Sequence, residues 1–225
     1  LGSGQALLKM TLFSAMLNGE HAEKTTLHFW DQQVTEHFGR KATFKFTLWK
    51  DNQRNEAKPF EIGIPILPRF FLVTHQSGVK TMQIVMDGAR ERLINHSSAI
   101  VDSASATWSF RYTNGYIVTL RGGMSVVVSY TPAGLHIPSY KIEQITFDAF
   151  FHDKVIALDH LLANRVIVPS DSPKTPRSRP PAQQREEERR NEDGVVVIDR
   201  LAIPPEPVNA FGIPQATMRC LEVCQ

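Results

Sequence analysis

The chain has 225 residues and a mass of 25.4 kDa; at 42% hydrophobic and 21% charged it can bury the core of one large domain plus an accessory piece. A net charge of +2 and a pI near 8.6 are too balanced for a dedicated nucleic-acid-binding domain. No apolar run approaches the ~18 residues of a membrane helix, and two cysteines exclude a disulfide scaffold and fit a reducing compartment. Residues 1–4 read as a cloning scar and are set aside from the fold.

Two helices are expected first. Gln5–Asn18 is apolar almost all round (Leu7, Leu8, Met10, Leu12, Phe13, Met16, Leu17), so it needs cover on more than one side. Thr26–Phe38 carries one stripe of Leu27, Trp30, Val34 and Phe38, with Gly39 as its stop. Strand periodicity then takes over in Phe44–Leu48 and Phe60–Ile66. Pro68 opens a short helix to Gln76, and Thr81–Met86 is a further strand. Ala106–Tyr112 and Tyr116–Arg121 flank Thr113-Asn114-Gly115, where Asn-Gly signals a hairpin with a type I′ turn and positive φ at both central residues. Gly122-Gly123 is expected to turn the chain into Met124–Tyr130; Lys141–Phe147 is the last strand and Phe150–Leu162 a helix. Helices followed by antiparallel strands predict an α+β fold, with a sheet curving over the helices.

The composition breaks sharply at Pro169–Gly194. These 26 residues hold five prolines, twelve charges and one hydrophobic residue, Ala182. So little apolar area cannot offset ~1–2 kcal/mol of backbone entropy per residue, so a disordered linker over residues 166–194 is expected. Beyond it, residues 195–225 turn apolar again and carry four prolines. About thirty such residues are too few for a core of their own. They either pack back onto the main domain or present an apolar surface to a partner.

Catalytic patterns are scarce. There is no phosphate-binding glycine loop, no Gly-x-Ser-x-Gly elbow and no His-Glu-x-x-His pair, so neither a catalytic residue nor a cofactor is expected. On a helix, His152 with Asp159 and Asp153 with His160 would share faces, but they read as solvated positions beside an apolar stripe. Cys220 and Cys224 lack the second ligand pair that zinc needs, so no metal is expected. A pocket enzyme or small-molecule binder using His152 or Asp148 is one rival reading; direct DNA binding through the basic pI is the other.

Several stretches together are recognisable. Phe29-Trp30-Asp31, Glu36-His37-Phe38 and Ala42-Thr43-Phe44 are followed by Phe60-Glu61-Ile62-Gly63 and by Ile66-Leu67-Pro68-Arg69-Phe70-Phe71. The tail adds Ile203-Pro204-Pro205-Glu206-Pro207-Val208 and Cys220-Leu221. This combination resembles the LIM-domain-binding (Chip, SEUSS) family of transcriptional adaptors, and the Pro-rich insertion points to a fungal branch with developmental roles. The resemblance implies a cone-like α+β homodimerisation domain over residues 5–165, akin to the nuclear transport factor and ketosteroid isomerase shape. It makes the first helix interface material, with Leu8, Leu12 and Met16 as its residues. The tail would dock a LisH-type (LUFS) regulator of the Flo8/Som1 or single-stranded-DNA-binding-protein type, through Ile203, Val208, Phe211, Met218 and Leu221. A nuclear, non-enzymatic scaffold follows, reaching DNA only through its partners, with no membrane role. LIM binding itself receives no support, because the animal family's LIM-interacting peptide has no counterpart in these residues.

Overall fold

The computed structural model describes residues 4–131, 139–157 and 203–223. Three helices come from the first part of the chain: α1 (Gln5–Asn18), α2 (Leu27–His37) and α3 (Leu67–Gln76). Seven strands follow or interleave: β1 (Phe38–Trp49), β2 (Ala57–Gly63), β3 (Val79–Asp87), β4 (Arg90–Asn95), β5 (Ser98–Tyr112), β6 (Tyr116–Thr131) and β7 (Ser139–Ile156). They form one sheet in the order β2-β1-β7-β6-β5-β3, with β4 also on β5. A last helix, α4 (Gln215–Val223), lies in the tail. The α+β class is as expected, but the sheet is mixed, since β1 runs parallel to β7. Residues up to Val155 and from Glu206 onward form one compact unit; Ile156–Pro205 is a second, of which only 156–157 and 203–205 are described. The linker and its boundaries lie outside the described residues.

Alternation aims one side of the sheet at the helices. Phe44, Phe46 and Leu48 of β1, Trp108 and Phe110 of β5, and Phe147 of β7 are all buried. Trp108 sits among the rings of Phe44, Phe46, Phe70, Phe110 and Phe147 at 5.0–6.4 Å, and Phe46 stacks on Phe147 at 5.8 Å. Trp30 of α2 stacks on Phe71 of α3 at 5.2 Å, carrying the aromatic packing up into the helices. The concave side is therefore filled by side chains.

Charged side chains from elsewhere in the fold finish the helix ends. Glu91 of β4 accepts from the Gly4 and Leu7 N–H groups at 2.9 and 3.0 Å, placing a carboxylate on the positive end of α1. Buried Lys24 donates to the carbonyls of Leu17 (2.6 Å) and Gly19 at the other end. Burial pulls the Lys24 pKa down to about 8 against the opposing pull of Glu20. Lys141 closes α2 in the same way, donating to Thr35 and Glu36 carbonyls at 2.9 and 2.7 Å. Ser14 of α1 both donates to the Ile84 carbonyl (2.6 Å) and accepts from its N–H (2.9 Å), satisfying the outer edge of β3.

Three expectations are corrected. Gly39 does not stop α2: the helix ends at His37, its last hydrogen bond running from the Phe38 N–H to the Val34 carbonyl, and Phe38 and Gly39 already belong to β1. Gly122-Gly123 is not a turn but the middle of β6, opposite a bulge where β5 fits Ala104 and Ser105 between its pairings of Ser103 with Met124 and Ala106 with Gly122. A Cβ on Gly122 would lie 1.7 Å from the Asp148 carbonyl oxygen, so glycine is needed for strand contact. The expected helix from Phe150 is instead the continuation of β7 to Ile156; residues 158–162 lie outside the described residues. β4 has no counterpart among the expected elements.

His37 gives the fold a dependence on pH. Its ring is buried against Phe13, and burial, then Lys9 and Lys141, push its pKa down to about 4. Below the ordinary value of 6.5 the unfolded chain takes up a proton that the folded chain refuses. Stability should thus fall as pH drops from 6.5 towards 4, by an amount on the order of 3 kcal/mol. Urea unfolding across this range checks it: His37→Leu should lose much of the slope, and an unchanged slope would refute the assignment.

Candidate protein-docking site

The tail is built into the main unit. Gly212 N–H donates to the Asn209 carbonyl (3.0 Å), Asn209 N–H to the Ile213 carbonyl (2.9 Å), and Phe211 N–H to the Asn209 side chain (2.9 Å). Gly212 has φ +80°, and a Cβ there would lie 2.7 Å from the His152 ring, so the backbone lies close against the imidazole. From this turn, Pro214 leads into α4, whose Thr217, Met218 and Leu221 are buried. Thr217 shares a 3.1 Å hydrogen bond with Thr74 of α3, so neither hydroxyl is buried unpaired.

The receiving surface comes from two places. The β1–β2 loop holds Asp51, Asn52 and Arg54 in the left-handed region, at φ 48°, 60° and 52°. Asp51 N–H donates to the Ala210 carbonyl at 2.7 Å. Asn52 grips the backbone of His152 twice, donating to its carbonyl (2.8 Å) and accepting from its N–H (2.7 Å). Burial, then Lys154, lowers the His152 pKa, while Asp51, Asp153 and Glu206 oppose. A neutral ring is thereby favoured under Gly212. Ion pairs complete the rim: Lys58–Glu222 at 2.6 Å, with the same ammonium over the Phe211 ring at 5.1 Å, and Lys154–Glu206 at 2.5 Å.

This geometry redistributes the expected anchors. Phe211, Met218 and Leu221 are buried within the chain itself. Val208 is half-buried and Ile203 is 62% exposed. On α1, Leu8 and Leu12 are 48% and 53% exposed and Met16 is half-buried. His152 and Asp153 are separated by strand alternation: His152 is buried, and Asp153 accepts from Arg121 at 3.0 Å. Asp159, His160 and Cys224 lie outside the described residues, among which no cluster of three metal-binding side chains occurs. Asp148 is exposed and accepts from Trp49 Nε1 at 2.7 Å. The clamps Asn52, Lys58 and Gly212 escaped sequence reasoning; the polar run Lys50–Asn55 is compatible with a loop and carries no sign of a grip on the tail.

The family model for LIM-domain binding protein matches residues 8–225, core and tail together. The chain belongs to this family. Relatives of this LIM-domain-binding protein include Adhesion defective protein 1 of Schizosaccharomyces pombe, 25% identical over 99% of this chain and 56% of that protein. Transcriptional activator ptaB of Aspergillus fumigatus is 22% identical over 99% of this chain and 28% of that protein. The chain thus spans about half or less of the length of these relatives. Solved structures of similar arrangement include a nuclear transport factor 2-like superfamily protein from Salmonella enterica (TM-score 0.42, 11% identity, 66% of this chain and 93% of that chain). Another is Aln2 from a Streptomyces species, with TM-score 0.42, 10% identity and the same coverages. In this family member no described helix is long and apolar enough to cross a membrane.

Proposed function

We propose that this LIM-domain-binding family member is a nuclear, non-enzymatic transcriptional co-regulator that self-associates and recruits a LisH-type (LUFS) regulator through its tail. The observation that carries the reading is the tail itself: the part of the family match beyond the linker is clamped to the core with Val208 and the outer face of α4 left at the surface. A clamped segment presents its docking residues in one geometry, which lowers the ordering cost of binding. The aromatic filling around Trp108 supports a surface function over pocket chemistry. Self-association duplicates each docking surface, so two DNA-bound partners gain effective concentration for one another without new contacts. DNA is then reached through the partner.

The test is co-purification and titration calorimetry with a LisH-domain regulator. Ile203→Asp with Val208→Asp should weaken binding by at least roughly 30-fold while leaving the melting temperature unchanged, as loss of anchors worth more than ~2 kcal/mol requires. Unchanged affinity would overturn the docking assignment. Phe211 is left out of this variant because its substitution would loosen the tail as a whole.

A further inference from the structure

We propose that a surface socket between the β5 bulge and Phe150-Phe151 of β7 receives one apolar side chain from the regulator that docks on the tail. This rests on the docking reading above and adds to it a contact on the main domain that the tail does not supply. The socket follows from backbone geometry. At Gly122, β6 and β7 approach too closely for a Cβ, and opposite Gly122 the bulge of β5 holds the exposed residues Ala104 and Ser105. With glycine at 122 and alanine at 104 and 106, a hollow of about 200 Å³ is left where larger side chains would fill the surface. Half-buried Phe150 and 38%-exposed Phe151 form its aromatic wall. Both sides are held before anything binds: the Arg54 guanidinium lies 4.3 Å from the centre of the Phe150 ring, and Arg121 on the rim donates to Asp153 at 3.0 Å. A socket set in advance loses little side-chain freedom when it is filled.

Size and chemistry choose the occupant. Clefts that take small molecules run to roughly 300–1,000 Å³, and this one is smaller. A charged ligand would meet Arg121 already paired and no other ionisable side chain in the lining. A single aromatic or branched aliphatic side chain is what remains, the kind of group that anchors protein contacts. Position chooses whose side chain it is. Phe151, Asp153 and Val155 alternate along one face of β7, with Val155 54% exposed. Lys154 between them pairs with Glu206 of the tail at 2.5 Å. The socket wall therefore lies three residues, or about 10 Å of strand, from a residue that holds the tail. A standard interface covers about 800 Å² on each partner, a patch roughly 30 Å across. One centred on Val208 extends over Phe151 as well.

The experiment is calorimetric titration of the full chain with a LisH-domain regulator, beside melting of each variant. Ala104→Phe fills the socket from an exposed position, and Phe151→Ser removes its wall. Each should weaken binding by roughly 10-fold with the melting temperature unchanged. Combined, they should still cost roughly 10-fold and not 100-fold, because both act through one contact. Phe151→Leu, which keeps an apolar wall, should bind within about 3-fold of the parent. If Ala104→Phe melts early, the pair Phe151→Ser and Phe151→Leu decides the matter alone. Parent-like binding by Phe151→Ser, or losses that multiply in the combined variant, would overturn the socket. Tail docking would still stand if Ile203→Asp with Val208→Asp weakened binding. A parent chain that does not bind the regulator would overturn both.

Discussion

Gly122→Ala is expected to cost more than about 4 kcal/mol, a large share of the roughly 5–15 kcal/mol that holds a typical domain folded. A Cβ at this position would meet the Asp148 carbonyl oxygen at 1.7 Å, its carbon at 2.7 Å and Ala149 Cα at 3.2 Å. These are backbone atoms of β7, so no rotamer change relieves the clash. Relief requires β7 to move away from β6, and β7 carries Phe147, which stacks on Phe46 and borders Trp108. Its neighbour gives an internal control: a Cβ on Gly123 finds nothing within 4 Å, and Gly123→Ala should stay within about 1 kcal/mol of the parent. Urea unfolding of the two variants checks the pair. Equal effects would show that the strands do not approach at Gly122.

Met218→Ala and Leu221→Ala should each lower global stability by about 2–5 kcal/mol, as large-to-small changes at buried sites do. Both side chains are only 2% exposed, on a helix whose Thr217 is bonded to Thr74 of α3. Val223, 86% exposed on the same helix, is the reference, and Val223→Ala should change stability by less than about 0.5 kcal/mol. The prediction distinguishes a tail that belongs to the core's cooperative unit from one merely tethered to it. In the second case all three variants would leave the main unfolding transition unmoved, and hydrogen exchange in 206–223 would proceed independently of the core.

The limits of sequence reading follow from particular residues. The hairpin at Asn114-Gly115 was legible because its backbone demand is local, but the turn is not type I′: Gly115 has φ +88°, whereas Asn114 is not in the left-handed region. The start of α3 was legible for the same reason, with Pro68 in the first turn. Gly122-Gly123 misled because a glycine pair marks either a turn or a close strand approach, and the second depends on β7, more than twenty residues away. β4 gave no signal because nearly all its side chains are exposed, leaving no alternation to read. Phe150–Ile156 mixes exposed and buried aromatics as the strand leaves the core, a pattern compatible with either period. The tail's composition required cover but could not say whose. Thr74 and the Asn52 grip on His152 decided that, and both lie far from the tail in the chain.

Self-association and recruitment of a second regulator through the tail are the two halves of the proposed function. Light scattering of the chain alone, then mixed with a LisH-domain regulator, addresses both halves in one measurement. A dimer is expected at micromolar concentration and, on mixing, a larger particle containing two copies of the chain. A chain that stays monomeric and passes through the mixture without changing mass would contradict it.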